Sequence, residues 1–262
     1  MKSIAFVFLF SVMVSCGKTN EALNNKFISS KVFGGHKIDL SNPLAQVTVG
    51  ISNKKLNAVC TGTIIAENII LTAAHCIEKA EASDMTVLFG QSLYSTRAKT
   101  VQIESMIAHK NFVHSSIIRN DLALLKIQGK ILEGYKVLDI DSSLNLEFNP
   151  GRTVLVAGFG FSRIDFMKMG LGTLRAAEVK MEHYSPNEDL LILDQSENKG
   201  ICQGDSGGGA FVLINGELVQ LGVTSFVYLK GNDSKRADCR NKAFFTNVSF
   251  FNSWIKDAMA AL

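Results

Sequence analysis

The stretch KGICQGDSGGGAF, residues 199–211, sets one serine between an aspartate and a run of glycines, four residues after a cysteine. Glycine loses the most backbone entropy on folding and brings no side chain to pack, so a cluster of them needs a local reason. A surface turn is one reason. A backbone that comes close to a ligand and aims its N–H groups at it is another. Gly204-Asp205-Ser206-Gly207-Gly208 also fits the G-x-S-x-G turn of the α/β-hydrolases, but that fold needs its catalytic histidine after the serine. His36, His75, His109, His114 and His183 all precede Ser206. Chain order therefore excludes that fold, and no alternation of strand and helix patterns supports it.

Around this stretch the chain is written in β-type segments. QVTVGIS (46–52), TGTIIAENIILTA (61–73), MTVLFGQ (85–91), TVQIESMIAH (100–109) and DLALLKIQ (121–128) are short, rich in Val, Ile and Leu, and bounded by turn residues. GRTVLVAGFG (151–160), GTLRAAEVKME (172–182), GAFVLING (209–216), ELVQLGVTSFVYL (217–229) and AFFTNVSF (243–250) continue the series. Short strands at such spacing predict an all-β sandwich or barrel, and Asn215-Gly216 predicts a tight hairpin. Only SFFNSWIKDAMAAL (249–262) reads as a helix, with Ser249 as N-cap and Phe250, Trp254, Ile255 and Ala258 on one face. The stretch 142–151 is the expected boundary between two halves.

A serine hydroxyl is a weak nucleophile until a base takes its proton, and the base needs a group to orient it. His75 lies in IILTAAHCI (69–77), at the end of an apolar strand and beside Cys76. Asp121 lies in RNDLALLKI (119–127), just before a strand that reads as buried. Each alone reads equally well as a packed histidine or a turn aspartate. Together, His75, Asp121 and Ser206 stand in the order histidine, aspartate, serine that one class of nucleophilic triad uses. His109 and His114 read as ordinary surface or core residues.

KVFGG (31–35), LTAAHC (71–76), NDLALLKI (120–127), VAGFG (156–160), CQGDSGG (202–208), GVTSF (222–226) and AFFTNV (243–248) run in the order found in the trypsin/chymotrypsin family. Across nearly all of residues 32–262 the chain resembles a serine peptidase of that family. The resemblance implies two antiparallel six-stranded β-barrels and a C-terminal α-helix, with the active site in the cleft between the barrels. It sets the first barrel at about 32–142, the second at about 143–248 and the helix at 249–262. It gives Ser206 the role of nucleophile, His75 that of general base and acid, and Asp121 that of orienting carboxylate. The N–H groups of Gly204 and Ser206 would form the oxyanion hole, and the strand at Ser225, Phe226 and Val227 would pair with substrate backbone. Cys60 would bond Cys76, and Cys202 would bond Cys239. Cleavage after Lys31 would free the amino group of Val32 to pair with Asp205.

The family reads its specificity pocket six residues before the serine, where trypsin-like members carry an aspartate for Lys or Arg. Here that residue is Gly200, followed by Ile201, with Val227 and Ala243 at the walls. The resemblance then implies an apolar, shortened, elastase-like pocket for small aliphatic side chains. Such an enzyme would not cut well after Lys31, so a separate activating protease is expected. Phe159 and Phe226 stand where the family usually has tryptophan, and Gly209 replaces a proline. The competing reading is a catalytically silent relative that binds or adheres to partners.

The 262-residue chain is 47% hydrophobic and 19% charged, enough to bury a substantial core. The excess of +3 resides in residues 1–31, where Lys2, Lys18, Lys26 and Lys31 face Glu21. The remaining chain is balanced and gives no electrostatic reason to expect nucleic acid or an anionic membrane. MKSIAFVFLFSVMVSC begins with a lysine, a short apolar core and small residues, the marks of a secretory signal peptide over 1–15. MVSC also resembles a bacterial lipoprotein signal, which would put a lipid on Cys16. Residues 16–31 read as a propeptide or linker. With Cys16 in the leader, four cysteines remain, which in an exported chain suggests two disulfides with three possible pairings. A C-x-x-C or H-x-x-x-H pair does not occur, residues 83–99 lack the paired acids of a calcium loop, and no metal or cofactor is expected. The reading is a secreted, monomeric peptidase acting on proteins or peptides.

Overall fold

A computed structural model of the chain describes residues 35–115, 118–143, 146–162, 169–227 and 239–262. The leader, Cys16, Lys31 and Val32 lie outside the described residues.

Two closed antiparallel barrels of six strands each make up the fold. In the first, β2 (Thr48–Asn53), β3 (Ala58–Ala66), β4 (Ile69–Thr72), β5 (Met85–Phe89), β6 (Lys99–Ala108) and β7 (Ala123–Ile127) close in the order β2-β3-β4-β7-β6-β5. In the second, β8 (Thr153–Gly158), β9 (Arg175–His183), β10 (Leu190–Asp194), β11 (Gly209–Ile214), β12 (Glu217–Val227) and β13 (Lys242–Asn247) run β9-β10-β13-β12-β11-β8. Pairing of β8 with β9 closes that ring. A two-residue strand, β1 (His36–Lys37), adds to β9 from outside.

Each barrel has its own apolar centre. Val49, Ile51, Ile64, Ile70, Leu71, Val87 and Leu124 fill the first, and Val154, Val156, Val179, Leu191, Leu193, Val212, Leu221 and Phe245 the second. Val49 and Ile51, Val154 and Val156, and Leu191 and Leu193 are alternate positions of strands whose neighbours point the other way, whereas β4 buries the consecutive Ile70 and Leu71. Asn215 and Gly216 both have positive φ, at 52° and 87°, and turn β11 into β12 as expected for a two-residue hairpin.

The segment read as one strand over 61–73 is a hairpin of β3 and β4, turning at Glu67-Asn68. Residues 43–47, partly assigned to a strand, form a short helix, α1 (Pro43–Val47). Asn42 Oδ1 caps it by accepting the Leu44 N–H at 2.9 Å, and Pro43 opens its first turn. The last helix, α2, spans Asn252–Ala261. Ser249 does not cap it, because the helix begins only at Asn252, with Phe251 at the N-cap position. Phe250 is left 48% exposed, and Ile255 and Ala258 pack on the first barrel's core. Among the described residues no helix is long and apolar enough to cross a membrane.

Candidate active site

Strand pairing brings His75 and Asp121 to one end of the first barrel. Thr72, the last residue of β4, lies opposite Ala123, the first of β7. His75 follows β4 in a single 3-10 turn, Ala74–Cys76, and Asp121 precedes β7 by two residues. Asp121 Oδ2 accepts a hydrogen bond from His75 Nδ1–H at 2.7 Å, and Oδ1 accepts the His75 backbone N–H at 2.9 Å. The backbone bond orients the carboxylate, and the ring bond then orients the imidazole. With the proton on Nδ1, the lone pair is on Nε2.

Asp121 is 1% exposed. Burial pushes its carboxyl up, but the bonds and charge of His75 and the hydroxyl of Ser225 outweigh that and hold it below its ordinary range. The Ser225 hydroxyl donates to Oδ2 at 2.5 Å from β12 of the second barrel, and Thr246 Oγ1 donates to the Asp121 carbonyl at 3.2 Å. The carboxylate is thus a joint between the barrels.

Ser206 enters from the second barrel, on the turn that leads into β11. The Gly207 N–H donates to the Thr224 carbonyl at 2.8 Å, and the Thr224 N–H donates to the Gly208 carbonyl at 2.7 Å, so β12 pins the turn from below. From the first barrel, the Thr61 N–H donates to the Ser206 carbonyl at 2.7 Å and Thr61 Oγ1 donates to the Gly204 carbonyl at 3.0 Å. Cys76 Sγ lies 3.6 Å from the Ser206 carbonyl and 3.8 Å from His75 Nε2. Histidine, disulfide and serine therefore share one small volume, and both His75 and Ser206 remain partly exposed. Thr61 went unnoticed in the sequence. Its placement directly after Cys60 in a strand beside the histidine was the available signal.

The glycine cluster is explained by close packing on both sides. Gly207 has φ 80°, and a Cβ there would fall 2.0 Å from Thr72 Oγ1 and 2.4 Å from the Thr61 carbonyl oxygen. Gly204 has φ 96°, with Gly160 Cα 2.8 Å from the same construction. Gly209, which departs from the family's proline, sits under the Phe211 ring, 2.2 Å from where its Cβ would be.

Asp205, next to Ser206 in the turn, is fully buried. Its carboxylate accepts the Gly160 N–H at 2.7 Å and the Cys202 N–H at 2.8 Å. It occupies the side-chain space of Gly158, whose Cβ would fall 2.3 Å from Oδ1. Burial pushes the carboxyl up to about 7, against the two N–H groups and the charge of Arg175, the cross-strand partner of Gly158. Among the described residues no cation reaches hydrogen-bond distance of it.

Disulfides join Cys60 to Cys76 and Cys202 to Cys239. Cys60, Cys76 and His75 place three donor atoms within 4.8 Å of one another, but both sulfurs are spent in the disulfide and offer no thiolate to a metal. The first bridge spans 16 residues of sequence. Loop-closure entropy at that length is worth roughly 3 kcal/mol. The C60S/C76S double variant is expected to lose about that much in urea unfolding, and a loss within error of zero would count against it.

The candidate pocket residues also converge. Val227 and Ala243 are directly opposite in the β12–β13 ladder, and Val227 packs on the Cys202–Cys239 bridge. Ile201 and Ala243 are buried, at 2% and 0% exposure. Phe226 stacks on Phe244 with ring centres 4.5 Å apart.

The chain has relatives among known proteins. The profile of the family described as Trypsin matches residues 32–255. The chain is 27% identical to "Trypsin Blo t 3" of Blomia tropicalis, over 97% of each chain. It is 26% identical to "Granzyme B(G,H)" of Mus musculus, over 91% of this chain and 95% of the relative. It is also 26% identical to "Chymotrypsin-like elastase family member 1" of Canis lupus familiaris, over 89% of this chain and 94% of the relative.

Proposed function

The chain belongs to the trypsin family and is a serine endopeptidase, and on that premise we propose that it is a secreted, monomeric zymogen that hydrolyses peptide bonds after small aliphatic residues through His75, Asp121 and Ser206. The observation that carries the reading is the doubly bonded His75–Asp121 pair, held beside the Ser206 turn by Thr61 and Cys76.

Ser206 Oγ attacks the scissile carbonyl while His75 Nε2 takes its proton. Asp121 stabilises the imidazolium that forms, and its low carboxyl keeps it ionised for that task. The tetrahedral oxyanion is met by the N–H groups of Gly204 and Ser206, each such donor being worth about 3–4 kcal/mol of transition-state stabilisation. His75 then protonates the leaving amine, and water repeats the sequence on the acyl-enzyme. Substrate backbone lies along Ser225–Val227 at the edge of β12.

Activation follows cleavage after Lys31 by a separate protease. The new Val32 ammonium enters the second barrel and pairs with Asp205, a fully buried carboxyl that burial pushes up to about 7. Where Cys16 carries lipid, the same cut releases the enzyme from its tether. Reaction with a fluorophosphonate probe tests the assignment. Ser206 is expected to label strongly after trypsin treatment and weakly before it. Absence of label in the cut form would favour a silent binding relative.

Specificity is tested on the same cut enzyme. A valyl or alanyl substrate is expected to be cleaved at least about tenfold faster than an arginyl one, because the pocket holds no counter-charge at Gly200. Faster arginyl cleavage overturns the pocket assignment.

A further inference from the structure

Gln195 follows β10 in the polar-rich stretch LDQSEN, yet it is only 1% exposed. Its side-chain amide is held on both sides. The Ile201 N–H donates to Oε1 at 2.5 Å, and Nε2 donates to the carbonyls of Ile201 at 3.2 Å and Cys239 at 3.1 Å. The amide therefore pairs with Ile201 as a neighbouring strand would, and ties it to Cys239. Its backbone N–H is anchored as well, on the Asn241 carbonyl at 2.6 Å. Moving this side chain aside would leave several buried polar groups unpaired.

The amide also lies where a specificity side chain would project. A Cβ on Gly200 would fall 1.9 Å from Gln195 Oε1 and 2.3 Å from its Cδ. The space into which residue 200 would send a side chain is already filled, and filled by a group tied down by three hydrogen bonds. Both amide hydrogens and the carbonyl are engaged with Ile201 and Cys239, so the surface carries no charge to meet a lysine or arginine.

We infer that Gln195 is a specificity-determining residue, forming a rigid, uncharged floor that limits the substrate side chain to alanine- or valine-sized groups. The inference rests on the proposed pocket of Gly200, Ile201, Val227 and Ala243. It adds that the depth of that pocket is set by a residue outside the Gly200–Ser206 segment.

The test is a kcat/KM profile of enzyme cut after Lys31, on peptides differing only in an Ala, Val, Leu, Met or Phe residue before the scissile bond. Gln195→Ala removes the floor and is expected to raise Met and Phe relative to Val by roughly tenfold or more. Gln195→Met keeps the bulk but leaves the Ile201 and Cys239 backbone groups unpaired, so it is expected to slow all five substrates alike while leaving the Val-to-Phe ratio within about threefold of the parent enzyme. Should Gln195→Ala fail to fold, Gln195→Asn retracts the amide by one methylene and is expected to favour Leu and Met more modestly. A uniform slowing of all five substrates in the shortened variant would show a purely structural role and overturn the inference. So would a Gln195→Met profile as relaxed as that of Gln195→Ala. Failure of the pocket reading itself is seen separately, as a parent enzyme that already prefers aromatic or arginyl substrates.

Discussion

Alanine at position 206 is expected to cut kcat of the processed enzyme by about 10⁵–10⁶-fold while leaving its unfolding transition almost unmoved. Ser206 is half-buried, and its carbonyl, not its hydroxyl, holds the turn to Thr61. Removing Oγ therefore deletes the nucleophile and little else. His75→Ala should cost a similar factor, because a hydroxyl without its base is no better than no hydroxyl. The double variant should be scarcely slower than either single one, since residues that act as a unit are not additive. Residual hydrolysis above the uncatalysed rate is expected from the N–H groups of Gly204 and Ser206, which the substitutions leave in place. Steady-state kinetics of the three variants, with urea unfolding as a control for folding, would decide. A Ser206→Ala enzyme within about a hundredfold of the parent, or a double variant slower than either single one by the product of their losses, would remove the mechanism.

The parts of this architecture that could be read ahead of the structure are those whose information is local. Ser206, His75 and Asp121 each sit in a short string, and their order along the chain was enough to discard one fold and favour another. β10 was not recognised because its half-buried positions, Leu190 and Ile192, are as apolar as the buried Leu191 and Leu193, so no alternation shows. α1 was absorbed into the following strand although Asn42-Pro43 announced it. The start of α2 was misplaced because its N-cap position is held by Phe251, a residue with no capping side chain and so no sequence signal. Thr61 and Gln195 carry no motif at all. Each acquires its role from residues far away in the chain: Thr61 from Ser206 and Gly204, Gln195 from Cys239 and Gly200. Contacts of that kind are set by barrel closure and by the docking of one barrel on the other, which short-range pattern does not encode.

The second large effect lies at Asp205, buried against Gly158 and Gly160. In the uncut chain this carboxyl is expected to make stability fall as pH rises. Its ordinary value is 3.8 and burial pushes it up to about 7 in the folded protein. Below pH 3.8 folded and unfolded chains both hold the proton, and the contribution to stability is complete. Between the two values the unfolded chain has released a proton that the folded chain retains, so each rising pH unit costs about 1.4 kcal/mol. Above about 7 the loss is complete, at about 4 kcal/mol. On the proposed activation, the Val32 ammonium would reverse the sign in the cut enzyme by favouring the ionised form. Urea unfolding at pH 4 and pH 8 should therefore show the uncut chain losing about that amount relative to its Asp205→Asn variant, and the cut enzyme losing none. Neutralisation should also cost activity, because Asp205 and Ser206 share one turn, which the Asp205 carboxylate anchors on the Gly160 and Cys202 N–H groups. Breaking a buried pair costs about 3–5 kcal/mol, enough to shift the site out of its competent form by about a hundredfold or more. An Asp205→Asn enzyme with full activity after cleavage, or an uncut chain whose pH slope matches that of the variant, would show that the buried carboxyl does not gate the site.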